Sequence, residues 1–196
     1  MEFNQKIKIP NNIICLIFTL FSYDIFGCIY SYSNFNQKII IPQNIIKLIF
    51  CDNFNQKIIV PQNIKKIIFG CKFDQKITIP RNIMCLTFGC QRHSVFFEKK
   101  IGYYFGQKIK IPPFITHLTF GCAYNQKNKI TQYVTHLTFG NNFNKKINLS
   151  KNITHLTFGN NFNKKINLSQ NITHLTFGQK AMLFRKENHV FLTLFY

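Results

Sequence analysis

The chain has 196 residues, of which 46% are hydrophobic and 23 are Phe, enough apolar content to build a packed core and to exclude a disordered polymer. Lys and Arg number 25 against 6 Asp and Glu, giving a formal net charge of +19, which suits nucleic acid or an anionic surface as a partner. It equally suits a chain dominated by Asn, Ile, Lys and Phe, all of which have AT-rich codons. The few acids, Glu2, Asp24, Asp52, Asp74, Glu98 and Glu187, form no close or repeated pair, so no general acid–base couple is evident. Gly-rich phosphate loops, H-E-x-x-H and G-x-S-x-G are absent as well. The expectation is a non-enzyme with no cofactor.

In chain order, a nineteen-residue unit begins at Phe3, Phe35, Phe54, Phe73, Phe105, Tyr124, Phe143 and Phe162, making eight copies over residues 3–178. A second aromatic follows fifteen positions later in every copy, at Phe18, Phe50, Phe69, Phe88, Phe120, Phe139, Phe158 and Phe177. With the first aromatic as position 0, the apolar positions are 0, 4, 6, 10, 13 and 15. Positions 4 and 6 alternate, as do 13 and 15, which is the two-residue period of a strand, and no helical stripe is long enough to compete. Positions 4–6 are therefore expected to form one strand and 11–15 another, with like strands of successive copies pairing in parallel. Pro10, Pro42, Pro61, Pro80 and Pro112 close the first strand, and Gly at position 16, from Gly70 to Gly178, ends the second and allows a positive φ. Asn at position 1 is expected to stack and bond the backbone of the next rung. The fold class that follows is an all-β, right-handed solenoid of eight short turns with parallel strands.

Two spacings break the period, so irregular insertions are expected at residues 19–34 and 89–104. Phe21, Tyr23, Ile25, Phe26, Tyr30 and Tyr32 in the first carry enough apolar area to cover an outward line of Ile17, Ile49 and Ile68. Residues 179–196, where Phe191, Leu194 and Tyr196 keep a faint ninth register, are expected to cap the open end. Residues 13–31 are apolar over a window of roughly nineteen residues, but they fall in register with core positions and Asp24 interrupts them, so no membrane span is expected. The start M-E-F-N lacks a basic leader segment. Seven Cys without a C-x-x-C fit reduced thiols inside a cell.

F-N-Q-K-I followed by I-P-x-N-I-x-x-L-x-F-G, together with four runs of T-H-L-T-F-G, resembles the FNIP repeat, a leucine-rich-repeat-like family of amoebae and of large DNA viruses of amoebae. The resemblance implies a leucine-rich-repeat-like stack and, for a viral chain, the cytoplasm of a host cell. Some members of that family join the repeats to an F-box, which implies substrate recognition for ubiquitin ligases. Here a repeat begins at Phe3, leaving no room for an F-box in this sequence. A unit of nineteen residues lies just under the leucine-rich range of about 20–29 and favours a β-solenoid turn over a helix-backed horseshoe.

Three sets of side chains are candidates for function. Positions 12 and 14 point outward and read His117/Thr119, His136/Thr138, His155/Thr157 and His174/Thr176 in the last four copies, a surface expected to meet a protein partner. Position 3 is Lys throughout (Lys6, Lys38, Lys57, Lys76, Lys108, Lys127, Lys146 and Lys165), a ladder that could track the phosphates of a nucleic acid or another polyanion, or simply guard a sheet edge. Cys71, Cys90 and Cys122 share position 17 and His93 follows closely, a donor set that suits zinc in type but matches no zinc-module spacing. The reading that results is a monomeric, non-catalytic scaffold for protein–protein interaction.

Overall fold

The computed structural model describes residues 6–18, 21–23, 29–31, 33–89 and 105–178. Ten short strands occur among them: β1 (Cys15–Ile17), β2 (Phe21–Tyr23), β3 (Ile29–Ser31), β4 (Lys47–Ile49), β5 (Lys66–Phe69), β6 (Cys85–Phe88), β7 (His117–Phe120), β8 (His136–Phe139), β9 (His155–Phe158) and β10 (His174–Phe177). Eight of them form one parallel sheet in the order β1-β4-β5-β6-β7-β8-β9-β10, while β2 and β3 pair antiparallel as a separate hairpin in the first insertion. No helix occurs among the described residues. The chain is an all-β solenoid in which each repeat adds one strand.

Register is set by the repeat. Leu118 lies opposite Leu137 and Leu137 opposite Leu156, so each core residue meets its own equivalent one rung away. Between β6 and β7 the second insertion intervenes, yet Cys85 still pairs with His117 and Phe88 with Phe120. The strand register is therefore the same on both sides of the second insertion. Alternation along each strand sends Leu and Phe inward: Leu86, Leu118, Leu137 and Leu156 are buried, with Thr87, Thr119, Thr138 and Thr157 between them only half-buried.

Two turns complete each rung. In the first, position 10 donates to the carbonyl of position 7, as Ile45 N does to Pro42 O at 3.3 Å and Ile64 N to Pro61 O at 3.4 Å. Thr131, Ser150 and Ser169 accept the same bond from Val134, Ile153 and Ile172, so the corner survives the loss of proline. In the second turn the next aromatic donates to the carbonyl at position 16, as Phe73 N does to Gly70 O at 3.4 Å and Phe143 N to Gly140 O at 3.3 Å. Across that corner the aromatics interleave in two columns. Phe50 stacks on Phe54 at 3.9 Å between ring centroids, Phe69 on Phe73 at 4.0 Å and Phe139 on Phe143 at 3.8 Å. These rings are buried together with the aliphatic side chains of positions 10 and 13.

The expected first strand, at positions 4–6, does not form. Those segments are extended but carry no ladder, and geometry gives the reason. Position-15 rings of copies that follow directly on one another sit 5.4–5.7 Å apart, at Phe50–Phe69, Phe69–Phe88, Phe120–Phe139 and Phe158–Phe177, and the one wide step, Phe88–Phe120 at 6.4 Å, is where the second insertion intervenes. The position-0 rings are wider apart, 6.1–6.5 Å at Phe35–Phe54, Phe54–Phe73, Phe105–Tyr124 and Phe143–Phe162. The rungs fan away from the strands, and direct backbone pairing at about 4.8 Å is out of reach on the far side. Side chains bridge the gap instead. Asn36 Oδ1 accepts from Asn55 N at 2.9 Å, Asn55 Oδ1 from Asp74 N at 2.9 Å and Asp74 Oδ1 from Gly106 N at 3.0 Å. This is the expected position-1 ladder, on half-buried side chains.

The glycines also differ from expectation. Among the described glycines only Gly89 has a positive φ, 75°. What Gly70 and Gly140 supply is room: an added Cβ would come within 2.1 Å of Cys51 O and 2.5 Å of Gly121 O on the rung below, and no side chain fits there. Along the isoleucine line that the first insertion was expected to cover, Ile17 is 45% exposed, Ile49 7% exposed and Ile68 half-buried. Side chains of the insertion hairpin, most of residues 89–104 and the expected cap at 179–196 lie outside the described residues.

One rung breaks the apolar rule in a self-consistent way. Tyr124 occupies an aromatic position and Asn128 the apolar position 4 of the same copy, and the two side chains bond each other. With its amide oxygen accepting from the Tyr124 hydroxyl, Asn128 donates to Ile109 O at 3.3 Å and Lys127 O at 3.2 Å. The polar residue that sits in the core has its partner built four residues on, and burial holds the phenol well above its usual range.

Candidate functional site

The parallel register places His117, His136, His155 and His174 in one column on the outer face of the sheet. Neighbouring imidazoles stack with centroids 4.1 Å apart at all three steps, tilted by 9–15°. His117 and His174 are exposed, and His136 and His155 half-buried. Thr119, Thr138, Thr157 and Thr176 form a second, half-buried column two residues along, so both predicted columns exist.

A third set of residues, absent from the sequence expectation, orders the first. Thr116, Thr135, Thr154 and Thr173 precede the histidines, and each hydroxyl lies 2.9 Å from Nδ1 of the following ring. Each hydroxyl also donates to a backbone carbonyl one rung below: Thr116 to Met84 O at 3.2 Å, Thr135 to Thr116 O at 3.2 Å, Thr154 to Thr135 O at 3.3 Å and Thr173 to Thr154 O at 3.2 Å. A hydroxyl has one hydrogen, and the carbonyl can only accept. Both contacts are satisfied only if Nδ1–H donates to Oγ1, which leaves Nε2 as a bare acceptor on all four rings. The signal in the sequence was the T-H pair inside every T-H-L-T-F-G.

Electrostatics favour the neutral form of three of the rings. Partial burial holds the imidazoles of His117, His136 and His155 below the usual histidine range, and positive neighbours push the same way: Lys66 and His155 for His117, His117 and His174 for His136, His136 and His174 for His155. Towards the amino end the same two columns change character, reading Cys85/Thr87, Lys66/Ile68, Lys47/Ile49 and Cys15/Ile17.

The Lys column lies elsewhere. Lys6, Lys38, Lys57, Lys76, Lys108, Lys127, Lys146 and Lys165 are all exposed, on the extended segments away from the sheet. The sheet ends at β1 and β10, so the ladder guards no sheet edge; it runs across the rungs, and edge protection does not account for it. Ile40 and Ile59, two positions along, are 90% and 86% exposed beside it. Asp52 and Asp74 are the acidic residues within the described part, and they accept from Cys71 Sγ and from Gly106 N.

Of the zinc candidates, two fall within the described residues. Cys71 is buried, with Sγ 3.3 Å from Asp52 Oδ1, and Cys122 is half-buried, while Cys90 and His93 lie outside the described residues. Among the described residues no group of three or more His, Cys, Asp or Glu side chains is disposed to hold a metal ion. Nor is any helix there long and apolar enough to cross a membrane.

A family model described as FNIP Repeat matches residues 35–72, 54–91 and 146–180. No curated protein matches the chain.

Proposed function

We propose that this chain, an FNIP repeat-containing protein, is a non-catalytic scaffold that binds another protein through the outer face of β7–β10. One observation carries the reading. Four rungs present His and Thr side chains in identical geometry, with every imidazole oriented through a threonine and a backbone carbonyl. Orienting four side chains has an entropic cost, and a surface with one fixed pattern of acceptors offers a partner a preorganised match. The adjoining amino-terminal face, with its Lys and Ile side chains, differs enough to give such a partner a direction.

A pull-down with the full chain at physiological salt, with and without nuclease, tests this. Capture of a protein that survives nuclease and is lost when His117, His136, His155 and His174 are all replaced by Ser supports the reading. Survival of capture in that variant overturns it. The second reading, binding of nucleic acid or another polyanion, is favoured by the unbroken exposed Lys column. Its signature is capture that disappears with nuclease and falls steeply with salt. A link to ubiquitin ligases rests on family resemblance alone.

A further inference from the structure

Two isoleucines on the wide side have nothing to pack on. Ile40 and Ile59 are 90% and 86% exposed, the two most exposed large apolar side chains among those described. Both occupy position 5, on consecutive rungs. The residues on either side of them turn to the core: Ile41 and Val60 are buried, and Ile39 and Ile58 pack partly against it. Alternation along an extended segment therefore sends the pair straight out. Elsewhere position 5 holds Lys8, Thr78, Lys110, Lys129, Asn148 and Asn167, all exposed and all suited to water.

The setting of the pair is basic. Position 3 faces outward with position 5, so Lys38 and Lys57 stand beside the isoleucines within their own rungs, and Lys6, Lys8 and Lys76 on the adjoining ones. These rungs step by 6.1 Å from Phe35 to Phe54 and by 6.3 Å from Phe54 to Phe73, measured between ring centroids. No copy carries an acid at position 3 or 5.

We propose that this patch docks on an anionic phospholipid bilayer, with the lysines at the headgroups and Ile40 and Ile59 entering the boundary between headgroups and acyl chains. Each ingredient supplies what the other lacks. Attraction to a negatively charged leaflet draws in Lys side chains but decays within about 8 Å at physiological salt. Apolar side chains that reach past the headgroups add burial and keep the charges at the surface. A nucleic acid would use the same lysines and leave the isoleucines in water, because an aliphatic side chain offers bases no π face to stack on. The exposed pair is thus the observation that favours a bilayer over other polyanions. The inference does not depend on the histidine face, which lies on the sheet side.

The full chain, kept reduced, is floated with vesicles of phosphatidylcholine alone and with vesicles containing about one-third phosphatidylserine. Recovery with the second and not the first is expected. Replacing both residues, Ile40→Ser with Ile59→Ser, is expected to weaken that binding at least about tenfold while leaving the thermal melt unchanged, since neither side chain is packed. Equal vesicle binding by wild type and this variant, or none by wild type, overturns the proposal. The chain contains no Trp, so Ile40→Trp installs a single reporter. A blue-shifted emission on anionic vesicles is expected, and an unchanged emission overturns insertion. Capture of a single-stranded oligonucleotide that is indifferent to the two Ser substitutions, with vesicles left unbound, assigns the lysines to nucleic acid and overturns the proposal as well.

Discussion

The two long sides of this solenoid are built from the same nineteen residues and held together differently. On the strand side, backbone meets backbone: Thr135 N donates to Thr116 O and Thr154 N to Thr135 O, both at 2.9 Å. On the opposite side the rungs stand farther apart, and Asn and Asp side chains span the gap, as Asn36 does to Asn55. The narrow side offers a rigid lattice of side chains; the wide side offers exposed lysines on segments with no ladder of their own. A recognition surface that depends on fixed geometry belongs on the first, and one that depends on charge alone suits the second.

Deleting part of a rung breaks both sides at once and has the largest expected effect. Removal of residues 143–161, one whole repeat, should leave a β-rich protein that unfolds cooperatively, because the surviving rungs re-form the same interface. Removal of ten residues from that stretch should abolish the transition. Circular dichroism during thermal melting reads both, and equal damage would contradict nearest-neighbour stacking.

Next comes the seam between the sides. Phe158 is buried between Phe162 at 3.9 Å and Phe139 at 5.6 Å. Phe158→Ala should cost about 3–5 kcal/mol in denaturant unfolding, while Thr157→Ala, on the outer face, should cost well under about 1 kcal/mol. Similar losses would mean that inward and outward faces are reversed.

The wide side alone is probed by Asn55→Ala, which strips acceptors from Asp74 N at 2.9 Å and Gln75 Nε2 at 3.0 Å. A loss of about 1 kcal/mol is expected in denaturant unfolding. No loss at all would show that the side-chain ladder does not hold the wide side.

The smallest effect concerns pH. The folded state keeps His117, His136 and His155 below their usual range, so the unfolded chain takes up protons first as pH falls. Stability should be full above the ordinary histidine value of about 6.5 and decline below it, down to the lowered folded values. Replacing the four histidines with Gln should flatten that slope; a slope unchanged by the replacement would remove the column as its source.

The repeat made most of this visible in advance. A period of nineteen with aromatics at positions 0 and 15 defines rungs, register and core, and Pro or Gly marks each corner. The fan of the stack was not visible, because apolar alternation at Ile147 and Leu149 reports burial and not whether a neighbouring backbone is close enough to bond. Nor does a glycine such as Gly140 reveal whether it serves torsion or space. The histidine column was legible as a column. Its orientation was not, since that arises between rungs, from the hydroxyl of Thr135 to the carbonyl of Thr116.

The most direct test of where a partner docks is amide hydrogen exchange on the full chain with its captured protein partner bound. Slowed exchange concentrated in the strands β7–β10 and in the Thr-His segments leading into them is the predicted result. Protection confined to the extended segments around Lys108, Lys127, Lys146 and Lys165, with the histidine strands unchanged, would contradict the account.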